Sequence, residues 1–348
     1  MKKIGVLTFH DVPNFGAILQ AWSLVQLLRD LGGNVELINY KPASLISKFH
    51  RGGLRRFLPS YGAFRRRSFV KRHLPVGQKC SDRKMVREYV QRSDFDILVC
   101  GSDQIWMMDD SIGFDPIFFL DFPEGLRIRK VSFAPSCGSM QSFGRNASQV
   151  RQLLSCFDAI SVRDRHTATV LTNLGVENSV EVVDPTLIAD FTPFISSTTS
   201  LKERYLAIVG PSNNSMEHAA KQIASRLNLR ILALGTKAKC ADIGKRFVNP
   251  GEWANYIANA EFVVTSLFHG VMLSIKFHRN FIAIPASGRE QKISDALLRF
   301  GLSERLQKVD MPFEFDSDNI RLEYSSAREQ IESSVALSIK FLAEAICD

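Results

Sequence analysis

The stretch of residues 260–281, AEFVVTSLFHGVMLSIKFHRNF, constrains the fold more than any other part of the sequence. A short apolar run at 262–264 leads through small polar residues to His269 and Gly270, and an apolar stretch with the composition of a buried helix follows. This order predicts a strand, a loop and a helix. Open α/β sheets bind ligands beyond the carboxyl ends of such strands, where helix N–H groups favour an anion. His269 is therefore either a ligand-binding side chain or a packed, hydrogen-bonded residue of a tight turn.

The same order recurs along the chain. Residues 3–9 predict a strand, a loop carrying Asp11, Asn14 and Gly16 follows, and apolar residues at helical spacing then precede a second strand at 34–40. Further apolar segments lie at 96–100, 130–134, 159–162, 180–183, 205–209 and 230–234. This repetition predicts α/β units with doubly wound sheets. Asn214 and Glu217, between the last two of these segments, have the spacing of a capping box at the start of a helix. The first loop lacks a G-x-G-x-x-G fingerprint and predicts no dinucleotide, and Asn14 and Gly16 fit turn and cap chemistry as well as ligand contact.

The length of 348 residues fits two domains, and the chain turns polar and rich in Ser and Thr between residues 190 and 204. We therefore predict an N-terminal domain over residues 1–190 and a second domain over 204–320. A basic helical insertion is expected at about 44–92. The last segment, 321–348, is predicted to form a helix that packs back across the domains.

The positive charge of the chain is concentrated between Lys48 and Arg92. This segment has fourteen Lys and Arg against two acidic residues, a net charge of +12, whereas the whole chain carries +8. Three interpretations compete: a solvated helical face, a surface for anionic lipid or acidic glycan, and a nucleic-acid surface. Aromatic and aliphatic residues interleave with the arginines as in an amphipathic helix, and no nucleic-acid module accompanies them, so no nucleic acid is predicted as a partner.

Composition places the chain among ordinary globular proteins, with 45% hydrophobic and 23% charged residues. No apolar run approaches the roughly 20 residues that span a bilayer, and the first residues fit a strand better than a signal peptide, so a cytoplasmic protein is expected. Six scattered cysteines without C-x-x-C spacing predict neither a disulfide framework nor a zinc site. No cluster of carboxylates and histidines has ligand spacing, so no metal is expected.

Two further strand ends carry polar candidates. Gly101, Ser102, Asp103 and Gln104 directly follow the strand at 96–100, which is where a ligand crevice forms. Arg163 lies just past the strand at 159–162. Its guanidinium can grip a phosphate or carboxylate through two parallel hydrogen bonds, or it can pair with a neighbouring aspartate.

These blocks together resemble the polysaccharide pyruvyl transferase family. The resemblance runs in family order from residue 3 to about 305 and is carried by Thr8-Phe9-His10, Asn14-Phe15-Gly16-Ala17, Leu19-Gln20, Gly101-Ser102-Asp103-Gln104 with Trp106, Ser161-Val162-Arg163, Asp184-Pro185-Thr186 and Phe268-His269-Gly270. It implies an α/β fold of two Rossmann-like domains facing a cleft, similar to glycosyltransferase-B. It also implies transfer of a pyruvyl group from phosphoenolpyruvate to a sugar of a cell-surface polysaccharide or its precursor, such as an exopolysaccharide, with formation of a pyruvate ketal.

The resemblance also implies roles for the candidates. His269 is expected to donate a proton or bind phosphate, and Asp103 to act as base or to orient a sugar hydroxyl. Donor binding falls to Arg163, Arg289, Ser266 and Gly270, and the acceptor side of the cleft to Asp11, Asn14, Gly16 and Ser102. Phosphoenolpyruvate is a substrate, so no cofactor is expected. A lipid-linked oligosaccharide acceptor would give the segment between Lys48 and Arg92 a docking role at the inner face of an anionic membrane.

One departure from the family pattern bears on the donor. The family often has Thr-Asp-Ser-Phe-His-Gly at the histidine block, or an arginine two positions before the histidine, where this chain has Ser266 and Leu267. Leu267 cannot bind an anion. Two other functions therefore stay open: a glycosyltransferase that uses a nucleotide sugar, and a glycan-binding protein without catalysis.

Overall fold

The chain divides into two compact units in a computed structural model. The structure describes residues 1–42, 61–108, 113–122, 127–196, 201, 203–286, 288, 290–307 and 324–347. Unit 1 comprises Met1–Ser60, Arg67–Ala189 and Ser334–Asp348, and unit 2 comprises Tyr61–Arg66 and Asp190–Ser333. Residues 43–60, which hold part of the predicted basic insertion, lie outside the described residues, as do residues 308–323.

Unit 1 is built on a six-stranded parallel sheet in the order β2-β1-β3-β4-β5-β6. Its strands are β1 (Lys3–Leu7), β2 (Asn34–Leu37), β3 (Ile97–Cys100), β4 (Arg129–Ser132), β5 (Ala159–Val162) and β6 (Val180–Glu181). β3 has the sequence ILVC and is buried at every position, as expected of a parallel strand covered on both faces.

Most of the helices of unit 1 begin at a polar side chain that accepts hydrogen bonds from free N–H groups. The helices of unit 1 are α1 (Phe15–Asp30), α3 (Arg83–Gln91), α4 (Ala147–Leu154), α5 (Arg165–Asn173) and the short α6 (Pro185–Ile188). Helix α2 (Tyr61–His73) is divided, because residues up to Arg66 belong to unit 2 and residues from Arg67 belong to unit 1. Asp82, Asp164 and Asp184 cap α3, α5 and α6 through hydrogen bonds from backbone N–H groups of the first turn.

Unit 2 repeats the architecture with a five-stranded parallel sheet in the order β11-β10-β7-β8-β9. Its strands are β7 (Tyr205–Val209), β8 (Arg230–Leu234), β9 (Ile243–Lys245), β10 (Phe262–Thr265) and β11 (Asn280–Ala283). Its helices are α7 (Asn214–Leu227), α8 (Pro250–Ala258), α9 (Phe268–Lys276) and α10 (Glu290–Arg299). The alternation of strand and helix that the sequence predicted is confirmed in both units.

The last helix, α11 (Ser325–Cys347), ends inside unit 1. The Lys2 ammonium donates to the carbonyls of Ile346 and Cys347, both at 2.9 Å, and the Arg129 guanidinium donates to the Ala345 carbonyl at 2.7 Å. Cations at these carbonyls suit the negative end of the helix dipole. The final turn of α11 is thus hydrogen-bonded to residues at the starts of β1 and β4 in the unit 1 sheet.

Two local predictions need correction. The sequence suggested a capping box of Asn214 and Glu217, but the cap of α7 is Asn213, whose side chain accepts from the Met216 N–H at 2.8 Å. The Glu217 carboxylate instead accepts from Ser212 and from the Lys239 N–H. Strands β9 and β11 were not predicted, because their short segments have little apolar periodicity. No helix among the described residues is both long and apolar enough to cross a membrane.

Candidate active site

Each sheet has one point at which the strand order reverses direction, and Asp11, Asp103 and His269 follow strands that lie at these points. In unit 1 the chain runs outward from β1 to β2 on one side and from β3 to β6 on the other, so the reversal falls between β1 and β3. In unit 2 it falls between β7 and β10. Loops at such points diverge and leave a crevice at the carboxyl ends of the strands. Each unit therefore has a candidate site of its own.

The loops after β1 and β3 are joined by hydrogen bonds. The Thr8 hydroxyl donates to the Ser102 carbonyl at 2.9 Å, and the Gln20 side-chain amide donates to the Thr8 hydroxyl and the Phe9 carbonyl, each at 3.0 Å. Gln20 is fully buried. Its hydrogen bonds therefore hold the backbone of the loop after β1 in place. The sequence pair Leu19-Gln20 did not predict this role.

The predicted acceptor-side residues of this loop divide by role. The Asn14 side chain caps α1, accepting from the N–H groups of Gly16 at 3.0 Å and Ala17 at 3.3 Å, and Gly16 is buried in the first turn. Asp11 is paired with Lys41 and partly exposed. Burial raises the pKa of the Asp11 carboxyl, but the hydrogen bond and charge of Lys41 outweigh it, so the net pKa is lowered. Asp11 therefore presents a stably ionised carboxylate at the loop.

His10 lies beneath the same loop, and the sequence predicted no role for it. Its Nδ1 is 3.0 Å from the Thr8 carbonyl oxygen and its Nε2 is 3.4 Å from the Asn39 side-chain oxygen. Burial lowers the pKa of this imidazole despite those contacts. His10 thus serves as a neutral structural residue next to Asp11.

A buried ion cluster stands at the ends of β3 and β5. The Arg163 guanidinium lies 3.3 Å from an Asp184 oxygen, 3.6 Å from Asp103 and 3.9 Å from Asp164. Its side chain is 2% exposed, whereas that of Asp103 is 13% exposed. One guanidinium against three carboxylates gives the cluster a formal charge of −2. Asp103 is accordingly the member with the greatest access to a substrate, and Arg163 stands behind it.

Asp184 organises this cluster, although the sequence singled it out only within a family-like block. One carboxylate oxygen accepts from the Thr186 N–H and hydroxyl at 3.0 and 2.7 Å, and the other meets Arg163. The Ser102 hydroxyl donates to Asp184 at 3.4 Å and is fully buried, so it faces inward and does not line a cleft. The acid directly after an apolar strand, before Pro185, was the sequence signal that could have identified Asp184.

In unit 2, the loop after β10 is tied to the loop after β7. The Ser266 hydroxyl donates to the Pro211 carbonyl at 3.1 Å, and the Thr265 hydroxyl donates to the Val209 carbonyl at 3.0 Å. Leu267 occupies the cap position of α9 and contributes no side-chain hydrogen bond. The first N–H groups of α9 therefore have no side-chain cap from that residue, which suits an anion at the helix start.

His269 lies in the first turn of α9 and is 6% exposed. Its ring meets the Phe268 ring edge-on, with the centroids 5.3 Å apart. The Lys292 ammonium lies 5.9 Å from the centroid of that same Phe268 ring. A histidine and a lysine thus flank one aromatic side chain at the helix start. Lys292 supplies a cation beside the Phe268 ring. Arg289, the other predicted donor-binding residue, lies outside the described residues.

Gly270 is required by packing. A Cβ atom at this position would lie 2.1 Å from the Thr265 hydroxyl oxygen. That oxygen is held by the Val209 carbonyl and the Leu267 N–H, so it cannot move away. Gly270 therefore allows α9 to approach β10 closely. This steric role is separate from the donor-binding role that was predicted for it.

We expect Gly270→Ala to destabilise unit 2 by about 1–2 kcal/mol. Overpacking costs roughly 1–3 kcal/mol, and the better helix propensity of alanine returns up to about 1 kcal/mol. Urea unfolding followed by circular dichroism measures the effect. Gly244→Ala is the control, because a Cβ there meets nothing within 4 Å. Equal stabilities of the two variants would contradict the steric argument.

Comparison with known proteins identifies the family. The model of the polysaccharide pyruvyl transferase family matches residues 14–288. The chain belongs to this family. The matched span includes Asp103, Arg163 and His269, whereas Asp11 and Arg289 fall just outside it. No curated protein matches the chain in sequence.

Solved structures show the fold. Anabaena HepE in complex with UDP is similar at 12% identity and a TM-score of 0.51, with 99% of each chain covered. The UDP-GlcNAc 2-epimerase of Methanocaldococcus jannaschii is similar at 10% identity and a TM-score of 0.51, covering 96% of this chain and 93% of that one. These neighbours have glycosyltransferase-B folds, which confirms the predicted fold class of two Rossmann-like α/β units.

Proposed function

We propose that this member of the polysaccharide pyruvyl transferase family transfers a pyruvyl group from phosphoenolpyruvate to a sugar of a cell-surface polysaccharide or its precursor. The observation that carries the proposal is the position of His269, in the first turn of α9 at the reversal point of the unit 2 sheet, with Lys292 beside it. This chemistry needs a proton donor and a cation close to the anionic substrate, and this position supplies both in His269 and Lys292.

The donor is assigned to unit 2. Phosphoenolpyruvate carries a phosphate and a carboxylate, and such groups are bound by helix N–H groups, cations and hydroxyls. The start of α9 offers N–H groups, Lys292 offers an ammonium, and Ser266 lies at the loop, although its hydroxyl is already bonded to the Pro211 carbonyl. Arg289 remains a predicted donor-binding residue.

The reaction requires three changes at the donor. One sugar oxygen bonds to the central carbon while a proton goes to the methylene carbon, which becomes a methyl group. A second sugar oxygen of the same acceptor then displaces phosphate, and the ketal and inorganic phosphate result. His269 is proposed to deliver a proton to the methylene carbon or to the departing phosphate, because histidine changes charge near neutral pH.

Asp103 of unit 1 is proposed to take the proton from an attacking hydroxyl or to orient that hydroxyl. It is the cluster carboxylate with the most exposed side chain, and the charge of Arg163 fixes its position. Asp11 is proposed to contact the acceptor, with Asn14, Gly16 and Ser102 holding the loops that carry it. We further propose a cytoplasmic reaction without metal or cofactor, and a lipid-linked oligosaccharide as the acceptor form.

A nucleotide-sugar glycosyltransferase is the second candidate function. The neighbour HepE contains UDP, and its fold is shared over nearly the whole chain. That candidate predicts binding of UDP and no affinity for phosphoenolpyruvate.

Calorimetric titration distinguishes the two candidates. We expect saturable binding of phosphoenolpyruvate, and Lys292→Ala should weaken it by about tenfold to a hundredfold, because a hydrogen bond to a charged group contributes roughly 1.5–3 kcal/mol. Lys221→Ala, which removes an exposed lysine of α7, is the matched control. Binding of UDP alone would reject the proposed donor and favour the glycosyltransferase.

A further inference from the structure

The exposed aromatic side chains of the described residues are gathered on one surface of unit 2. Tyr61, Phe64 and Phe247 are 59%, 63% and 45% exposed. Tyr61 and Phe64 lie one helical turn apart on α2, and the rings of Tyr61 and Phe247 meet edge-on with centroids 5.9 Å apart. Every other described Phe, Tyr or Trp is buried or half-buried. We call Tyr61, Phe64, Arg246 and Phe247 the aromatic–basic surface.

This surface is held together by specific contacts. The Arg65 guanidinium donates to the Phe247 carbonyl at 3.1 Å and to the Glu252 carboxylate at 2.6 Å. It also lies over the Tyr61 ring, 5.9 Å from the centroid. The exposed guanidinium of Arg246 lies over the Phe247 ring at 5.4 Å. The aromatic rings are thus oriented by their neighbours while remaining open to solvent.

The charge around these rings is mainly positive. The part of α2 that belongs to unit 2, Tyr61–Arg66, carries Arg65 and Arg66 and no acidic residue. Arg246 adds a third cation, whereas the Glu252 carboxylate is paired with Arg65. Three guanidinium groups and one carboxylate give this group a formal charge of +2.

We propose that the aromatic–basic surface, together with Arg65 and Arg66 of α2, docks the protein on an anionic lipid bilayer. Aromatic rings prefer the interface between headgroups and acyl chains, and each lysine or arginine near an anionic leaflet adds to the attraction. The positive charge of this surface favours an anionic bilayer as its partner, because a neutral protein groove would offer these cations no opposite charge. The inference does not depend on the proposed reaction, although it agrees with a lipid-linked acceptor.

Vesicle flotation tests the docking with variants of the full chain. Phosphatidylcholine vesicles with about 30% phosphatidylserine are compared with pure phosphatidylcholine, at low salt and at about 0.5 M salt. Wild type is expected to float with the anionic vesicles only, and high salt should release most of it. Arg66→Gln/Arg246→Gln should bind about tenfold or more weakly, because each basic residue at an anionic surface contributes roughly a factor of five in affinity.

The aromatic part is tested with Phe64→Ser/Phe247→Ser, which keeps every charge. Both side chains are exposed, so the unfolding midpoint should stay unchanged while vesicle binding falls at least tenfold. Lys237→Gln/Lys239→Gln removes two exposed cations elsewhere in unit 2 and should bind as wild type does. Absence of wild-type binding, equal binding to neutral vesicles, equal loss in the control, or capture by an acidic polysaccharide in place of vesicles would each overturn the proposal.

Discussion

Arg163→Met is expected to destabilise unit 1 by about 3–5 kcal/mol, the usual cost of removing one partner from a buried ion pair. The substitution fills much of the same volume but leaves Asp103, Asp164 and Asp184 facing one another without their shared cation. Two of those carboxylates are almost fully buried, so water cannot replace the guanidinium. The loss of charge compensation, and not a cavity, is the physical cause.

Urea unfolding measures this loss within the correct unit. The chain has three tryptophans, of which Trp22 and Trp106 lie in unit 1 and Trp253 in unit 2, so a Trp253→Phe background makes fluorescence report on unit 1. Lys84→Met is the control, because its pair with Glu88 in unit 1 is exposed and contributes less than about 1 kcal/mol. Arg163→Met/Asp184→Asn should recover part of the stability, since it removes one of the opposing charges. An Arg163→Met variant as stable as the control would refute the assigned role.

Arg163 could either bind the donor or position Asp103, and a conservative substitution distinguishes these two roles. The sequence predicted donor binding, and that prediction can be tested with Arg163→Lys, which keeps the charge. A donor-binding arginine would lose affinity for phosphoenolpyruvate in this variant. A residue that positions Asp103 would leave donor affinity close to wild type and lower turnover instead. The side chain is buried behind Asp103, and we therefore expect the second result.

His269→Ala is expected to lower turnover by a factor of about 10² to 10⁴, the usual contribution of a positioned acid or base. The readout is release of phosphate from phosphoenolpyruvate in the presence of a panel of sugar acceptors. His218→Ala, which truncates an exposed histidine of α7, should retain the wild-type rate. Circular dichroism checks that both variants are folded. Full activity in His269→Ala would remove this residue from the mechanism, whereas binding of phosphoenolpyruvate by wild type would still support the proposed donor.

The sequence predicted the fold well because the relevant information is local. An apolar run such as residues 262–265 followed by helical spacing is sufficient to specify a strand and its helix, and this local pattern alone locates His269 at a strand end. The short strand β9 escaped prediction because three residues carry almost no pattern. The cap of α7 was misplaced by one residue, since adjacent asparagines Asn213 and Asn214 are chemically identical and only backbone geometry selects between them.

The environment of the site could not be predicted in the same way. Arg163 meets Asp103 and Asp184 only because parallel strands bring their carboxyl ends to one edge of the sheet, and the sequence separates these residues widely. Lys292 likewise reaches the Phe268 ring from another helix. Sequence spacing identifies residue types suited to catalysis, whereas burial and pairing decide which of them can reach a substrate. Asp103 and Arg163 illustrate the difference most clearly.

The fastening of α11 to unit 1 bears on how the protein is made. Unit 1 includes residues 334–347, whose final carbonyls accept from Lys2 and Arg129, yet these residues follow all of unit 2 in the chain. Domains commonly fold one after another as they leave the ribosome. Here unit 1 can be completed only after unit 2 has been synthesised, because its last residues come after unit 2. Translation order and assembly order therefore differ, and a ribosome stalled after unit 2 would carry a first unit that lacks its closing helix.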